Sequence, residues 1–187
     1  STRGCSLGAE RFQKCLSRFS QIMSLFHTAS PLGAQCDSLL RSGACSREQL
    51  RAELDAKRHW PDSLPLQLAV RLADPGAASV GESRLRWLLA CAGLPQPVLQ
   101  YEVHRADEVV ARCDMAWPEL GDVLEFDGRL KYQRHVAPGM TPGDVVFAEK
   151  QREDLVRELT GFLVVRVVWA DLDRPTLLVQ RVREAFA

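Results

Sequence analysis

The chain has 187 residues, 46% hydrophobic and 26% charged, enough apolar material for one full domain plus a small helical appendage, and too much for global disorder. Its 24 Lys and Arg balance 24 Asp and Glu, so no general attraction to nucleic acid is implied, and any such contact must come from a local patch. No apolar run approaches the ~18 residues of a membrane span, and Arg11, Lys14 and Arg18 interrupt any signal-peptide core, so a cytoplasmic setting without a membrane partner is expected.

Residues 1–9 read as a loose end. From Glu10 to about Thr28, Phe12, Leu16, Phe19, Met23 and Phe26 recur at alternating spacings of four and three, which predicts an amphipathic helix with a heptad-like seam. It reads either as a dimerisation helix, giving a homodimer, or as a helix packed on its own chain. The second is preferred, because fewer than three heptads rarely specify a coiled coil. Ser30-Pro31-Leu32-Gly33 breaks this helix, and a short one of about Ala34 to Arg41 comes after it. Ser46 as N-cap, with Gln49 completing a capping box, opens the next, which runs to about Lys57. Leu64 to Leu72 predicts another. Asp74 to Ser79 is linker-like, so the expected division is a helical region over 1–75 and a second domain over 79–187.

Ser79 is placed to N-cap a helix from Val80 to Cys91, with Leu85, Leu88 and Leu89 as core positions and Gly93 near its end. Glu82 in its first turn is either an ordinary partner of the helix dipole or an acidic group near a metal. Val98 to His104 alternates as a strand. The stretch Val109 to Gly128 then predicts two strands joined by a Pro- and Gly-containing turn. A turn centred on Glu119-Leu120 sets Asp114 opposite Glu125. Directly opposed like charges destabilise a hairpin, and a divalent cation would offset them. Alternation puts Glu125 and Asp127 on one face, with Leu124 and Phe126 on the other. Hard cations such as Mg²⁺ take oxygen ligands of this kind. The bland alternative is a solvated polar face of an edge hairpin.

Residues 129–144 are polar and read as a surface loop. Arg129, Lys131, Arg134 and His135, with Tyr132 among them, make either a local basic, stacking-capable patch for DNA or an ordinary polar loop. Val145 to Thr160 predicts a helix closed by Gly161. Its charge run of Glu149, Lys150, Arg152, Glu153, Asp154, Arg157 and Glu158 is either a solvated face of ion pairs or, through Lys150 and Arg152, a phosphate contact. Phe162 to Trp169 is almost continuously apolar, the pattern of a strand buried inside a sheet. Thr176 to Phe186 predicts the last helix. From residue 79 the order helix, three strands, helix, strand, helix predicts an α/β fold with a mixed sheet flanked by helices on both faces. Cys5, Cys15, Cys36, Cys45, Cys91 and Cys113 include no C-x₂-C pair and read as reduced small hydrophobes. Trp117 and Trp169 read as packing residues.

This order, with these motifs, resembles the PD-(D/E)xK, or restriction-endonuclease-like, superfamily. It is most similar to the uncharacterised actinobacterial family related to the very-short-patch-repair (Vsr) mismatch endonucleases. The resemblance rests on Ser79 to Arg86, Gly93 to Gln100, Asp114 to Glu119, Glu125 to Gly128 with Lys131 and Tyr132, and Glu149 to Arg152 with Leu155, Leu159, Gly161 and Arg166. It covers about residues 79–187. The fold's first-motif aspartate matches Asp114, its second-motif acid Glu125 and its first-helix glutamate Glu82. The resemblance implies a DNA endonuclease dependent on Mg²⁺ or Mn²⁺, acting in repair or defence. Asp114 and Glu125 would be ligands, and Glu82 would ligate directly or through water. The fold's second motif ends in lysine. Asp127 stands there in this chain, and Lys131, Lys150 and Arg152 are candidate substitutes. Actinobacterial relatives often carry a helical N-terminal region like that of AbiEi-type antitoxins, and residues 34–74 look like the tail of one. The alternative is therefore a catalytically inactive nuclease fold, a DNA- or protein-binding regulator with a toxin–antitoxin partner.

Overall fold

The computed structural model describes residues 32–56, 59, 63–128 and 141–186. The helix expected over Glu10 to Thr28, and Arg129, Lys131, Tyr132, Arg134 and His135 of the expected loop, lie outside the described residues. The chain divides into two units. The first runs to Pro75 and includes Trp87–Pro95; the second comprises Gly76–Arg86 and Gln96–Ala187.

In the first unit, α1 is described over residues 32–41, with α2 (Arg47–Ala56) and α3 (Ser63–Leu72) after it. The expected capping box opens α2: the Ser46 N–H donates to Gln49 Oε1 at 2.7 Å, and the Gln49 N–H donates to Ser46 Oγ at 3.2 Å. Ala34, Cys36, Ala69, Val70 and Ala73 are buried, as are Trp87, Leu88 and Leu89 of α4 (Val80–Cys91). A Cβ on Gly33 would stand 2.0 Å from Trp87 Nε1, so only glycine lets α1 meet that ring. Asp37 is fully buried, and its Oδ1 accepts the Asp74 N–H at 2.7 Å.

The second unit holds the first half of α4 and one four-stranded sheet. Its strands are β1 (Val98–Arg105), β2 (Glu108–Trp117), β3 (Asp122–Asp127) and β4 (Leu163–Val168), in spatial order β1-β2-β3-β4. The first two pairings are antiparallel and the third is parallel, so the sheet is mixed. Parallel neighbours need a long crossover, and here it contains α5 (Pro142–Thr160). The β2–β3 turn gives the expected register, with Met115 opposite Leu124 and Trp117 opposite Asp122.

Two expectations are corrected. The helix expected from Val145 begins at Pro142: proline is tolerated at a first helical position, where its missing N–H has no intrahelical partner to lose. Thr141 and Asp144 close a reciprocal capping box there, and Gly161 ends the helix in the left-handed conformation at φ 71°. The apolar run after it is an edge strand, for among the described residues β4 pairs with β3 alone. That edge is partly closed by the next two helices, α6 (Trp169–Leu172) and α7 (Pro175–Ala185). The Val168 N–H donates to Asp171 Oδ2 at 2.9 Å, and Arg181 Nη2 donates to the Arg166 carbonyl at 3.1 Å. Such plugs keep an apolar edge from pairing with another chain.

One core lies between the sheet and α5: Val103, Ala111, Cys113, Ala116, Val123 and Val156, with Tyr101, Leu159, Phe162 and Val164 packed against them. Glu125 is bound by α5, while the next residue, Phe126, meets the first turn of α4. Successive strand residues point to opposite faces, so these helices lie against opposite faces of β3. A Cβ on Gly81 would stand 2.0 Å from the Phe126 ring, and Trp169 packs edge-on to that ring at 5.1 Å. Trp117 is buried and packs edge-on to Phe186 at 4.9 Å. Trp117 is thus a packing residue, while Trp169, though set against Phe126, is 37% exposed. No described helix is long and apolar enough to cross a membrane.

Candidate functional site

The β1·β2 register shifts between Val103 and His104, near the hairpin end, and the sheet is irregular again along one interior row. In the β1·β2 ladder Leu99 pairs with Met115 and Tyr101 with Cys113, so the position between them sets Gln100 opposite Asp114, and this pair is missing. In the β2·β3 ladder the pairing stops at Met115 and Leu124, one step before Asp114 and Glu125. Side-chain alternation also slips here. Cys113 and Ala116 both enter the core beneath α5 although they are three residues apart, where strict alternation would send them to opposite faces. On β1 the cause is visible: Gln100 has φ 50° in mid-strand. A non-glycine residue in that region costs on the order of 1–3 kcal/mol and persists only where the surroundings impose it.

Asp114 fills the resulting gap. Its Oδ2 accepts the Phe126 N–H at 2.8 Å, so a side chain replaces a ladder carbonyl where β2 and β3 separate. The like-charge opposition of Asp114 and Glu125 is thus relieved by the two strands parting, and by a cation on Glu125.

That cation is Arg152. Its Nη1 and Nη2 donate to the two Glu125 oxygens at 3.1 and 2.6 Å. Its Nε and Nη2 donate to Glu149 at 3.2 and 2.8 Å, and Nη1 also reaches the Arg112 carbonyl at 3.2 Å. An arginine has five N–H donors, and these bonds engage all five. A phosphate contact by Arg152 therefore requires breaking one of them. Glu149 also holds Arg166, the residue opposite Glu125 on β4, at 3.2 Å, and Glu153 holds Arg166 at 2.7 Å and Arg157 at 2.6 Å. The result is a lattice of three glutamates and three arginines tying α5 to β3 and β4. Hydrogen bonding to Arg152 holds the Glu149 carboxyl below its ordinary range. The charge run of α5 is thus only partly the solvated face of ion pairs that its sequence offers. Lys150 is exposed.

Burial, and after it the Glu125 charge, pushes the Cys113 thiol up to about 12. Cys36, Cys45, Cys91 and Cys113 are all free thiols.

Glu82 is spent differently. It is 2% exposed and completes the N-terminal cap of α4. Its Oε2 accepts the Ala78 N–H at 2.8 Å, its Oε1 accepts the Ser79 hydroxyl at 2.8 Å, and its own N–H donates to Ser79 Oγ at 3.2 Å. Gln100 Nε2 donates to Oε2 at 3.2 Å, so the strained residue of β1 is tied to the buried acid of α4. Sequence reasoning misses Gln100 as a site residue. The signal it offers is an amide side chain in the middle of an otherwise alternating strand.

No three His, Cys, Asp or Glu side chains are gathered as a metal site among the described residues. Mg²⁺ needs only one or two carboxylates, since waters and phosphates complete its shell. Asp114 and Glu125 suit it in kind, as hard oxygen donors at the opening of the sheet. Glu125 already accepts a cation through both oxygens, and a divalent ion there would exchange with Arg152. Glu82 is held by the cap of α4 and by Gln100. Asp127 is partly buried at the end of β3, beside Val168 of β4.

No family model and no solved structure matches this chain. It is 29% identical over 141 residues to an uncharacterised protein of Mycobacterium tuberculosis strain CDC 1551 / Oshkosh, and equally to one of strain H37Rv. The match covers 75% of this chain and 49% of each relative, so the chain spans about half the length of the curated relatives it matches.

Proposed function

We propose that the second unit is a restriction-endonuclease-like domain and that the protein is a metal-dependent endonuclease acting on DNA. The observation that carries this reading is the row Gln100, Asp114, Glu125, where both ladders give way around a carboxylate. A strained backbone and a broken ladder are costs, and such costs collect where geometry serves chemistry. Asp114 and Glu125 would hold a hard divalent ion, whose contribution when bound is to activate water and to neutralise charge on the phosphate. Asp114 is already oriented for this by the Phe126 N–H. Arg152 is the cation nearest Glu125 and, being always protonated, serves for charge and not for proton transfer.

A second reading is favoured by one observation: the guanidinium of Arg152 is saturated by Glu125, Glu149 and a carbonyl, which describes a neutralised structural lattice. On this reading the domain is a catalytically inactive regulator that binds DNA or a partner protein. Supercoiled plasmid incubated with the purified chain in Mg²⁺ or Mn²⁺ separates the two. Nicking that Asp114→Asn abolishes supports the endonuclease. DNA binding that survives both Asp114→Asn and EDTA, with no nicking, supports the regulator and sinks the first reading.

A further inference from the structure

Among the described residues only Gln100 and Ala106 are non-glycine residues with positive φ. Ala106 sits in the tight β1–β2 turn, where hairpins require that conformation. Gln100 sits inside a strand, where nothing local requires it. Three features coincide at this residue. Its backbone is left-handed, its register partner is Asp114, and its amide is bound to Glu82, a carboxylate buried at the head of α4. A packing role would need none of these: an apolar residue in ordinary extended conformation would continue the ladder.

We propose that Gln100 is a positioning residue of the site. Its left-handed turn breaks the β1·β2 ladder at the one step that frees Asp114 from strand alternation. Its side chain anchors that turn to the Glu82 cap, so α4, β1 and β2 are fixed together around Asp114. Glu82 then acts on the site through Gln100, which gives the buried acid a role other than ligand. Gly81 permits this by letting the start of α4 close onto Phe126, the residue whose N–H orients Asp114. The inference rests on the endonuclease reading for its catalytic part, but its strain part stands by itself.

The test uses the full chain and the variants Gln100→Gly, Gln100→Ala and Gln100→Asn. In an ordinary strand alanine is more stable than glycine. Here the order inverts: Gln100→Gly melts about 2–4 °C above Gln100→Ala, because glycine takes φ 50° without steric cost. Both variants lose plasmid nicking by about tenfold in kcat with KM unchanged, the worth of one hydrogen bond to a charged group. Both also bind Mn²⁺ alone more weakly by calorimetry. Gln100→Asn, which tolerates the left-handed region and keeps an amide, recovers part of each loss. If Gln100→Ala melts at or above Gln100→Gly, the proposal fails whatever the activity. If the melting order inverts but both variants nick and bind Mn²⁺ as the parent does, positioning fails while the endonuclease reading stands. If the parent protein itself neither nicks nor binds Mn²⁺, the endonuclease reading falls and takes positioning with it, leaving only the strain.

Discussion

Replacing Arg152 with methionine keeps much of the stem and removes the guanidinium with its five hydrogen bonds. Arg152 is 28% and Glu125 13% exposed at the side chain, so the pair is neither a surface bridge nor a buried one. Exposed pairs contribute about 0.2–1 kcal/mol, and breaking a buried pair costs about 3–5 kcal/mol. The lattice lies between, and Arg152→Met is expected to cost about 2–3 kcal/mol. At about 2–4 °C per kcal/mol for a chain of this size, the melting temperature falls by about 4–12 °C. Arg152→Lys keeps one charge but not the fork that serves Glu125 and Glu149 together, and recovers less than half of the loss. A double-mutant cycle of Arg152→Met with Glu125→Gln, read by circular dichroism melts, should give a coupling of about 1–2 kcal/mol. A coupling near zero, or an Arg152→Met melt within about 1 °C of the parent, refutes the claim that this arginine ties α5 to β3.

Gly81→Ala forces a methyl group to within 2.0 Å of the Phe126 ring and should destabilise by about 1–3 kcal/mol in thermal melts; an unchanged melt shows that α4 does not dock there. Glu82→Ala removes the acceptor of the Ala78 N–H, the Ser79 hydroxyl and the Gln100 amide, and is expected to cost about 1–2 kcal/mol. Cys113, fully buried with its thiol raised to about 12, should resist alkylation in the native protein at pH 8.5 and react once denatured. The folded state holds the thiol proton more tightly than the unfolded chain does. This contribution to stability is therefore complete below the ordinary thiol range and is lost as pH rises towards 12. Peptide mass spectrometry reads the labelling, and native labelling of Cys113 at the rate of Cys45, a partly exposed thiol, would contradict the burial.

Much of the local structure is legible in the sequence because local chemistry decides it. Ser46 with Gln49 closes a capping box within four residues, Ser79 caps the Glu82 N–H over the same spacing, and the turn after Trp117 fixes the β2·β3 register by its length alone. Pro142 misleads because a Pro-Gly pair reads as a turn, while at a first helical position it is permitted. The edge position of β4 is hidden because an apolar run does not report strand order, and of its six residues only Val167 is fully buried. The Glu125–Arg152 bond joins residues far apart in sequence, yet part of its signal is present. Glu149, Arg152, Val156 and Leu159 fall at spacings of three, four and three, one face of a helix, and Val156 and Leu159 are core residues. A charge on that stripe must find a partner on the sheet. Strain at Gln100 leaves no such pattern, because positive φ is a backbone property that glutamine does not announce.

The central claim is that the opening of the sheet around Asp114 is a cation site. A crystal of the protein soaked in Mn²⁺ and measured for anomalous scattering tests this directly. A peak within about 2–2.3 Å of an Asp114 carboxylate oxygen, with Glu125 turned from Arg152 towards it, is the predicted result. An empty gap, with Arg152 still bonded to both Glu125 oxygens at saturating Mn²⁺, would contradict it and leave the charged lattice as structure alone.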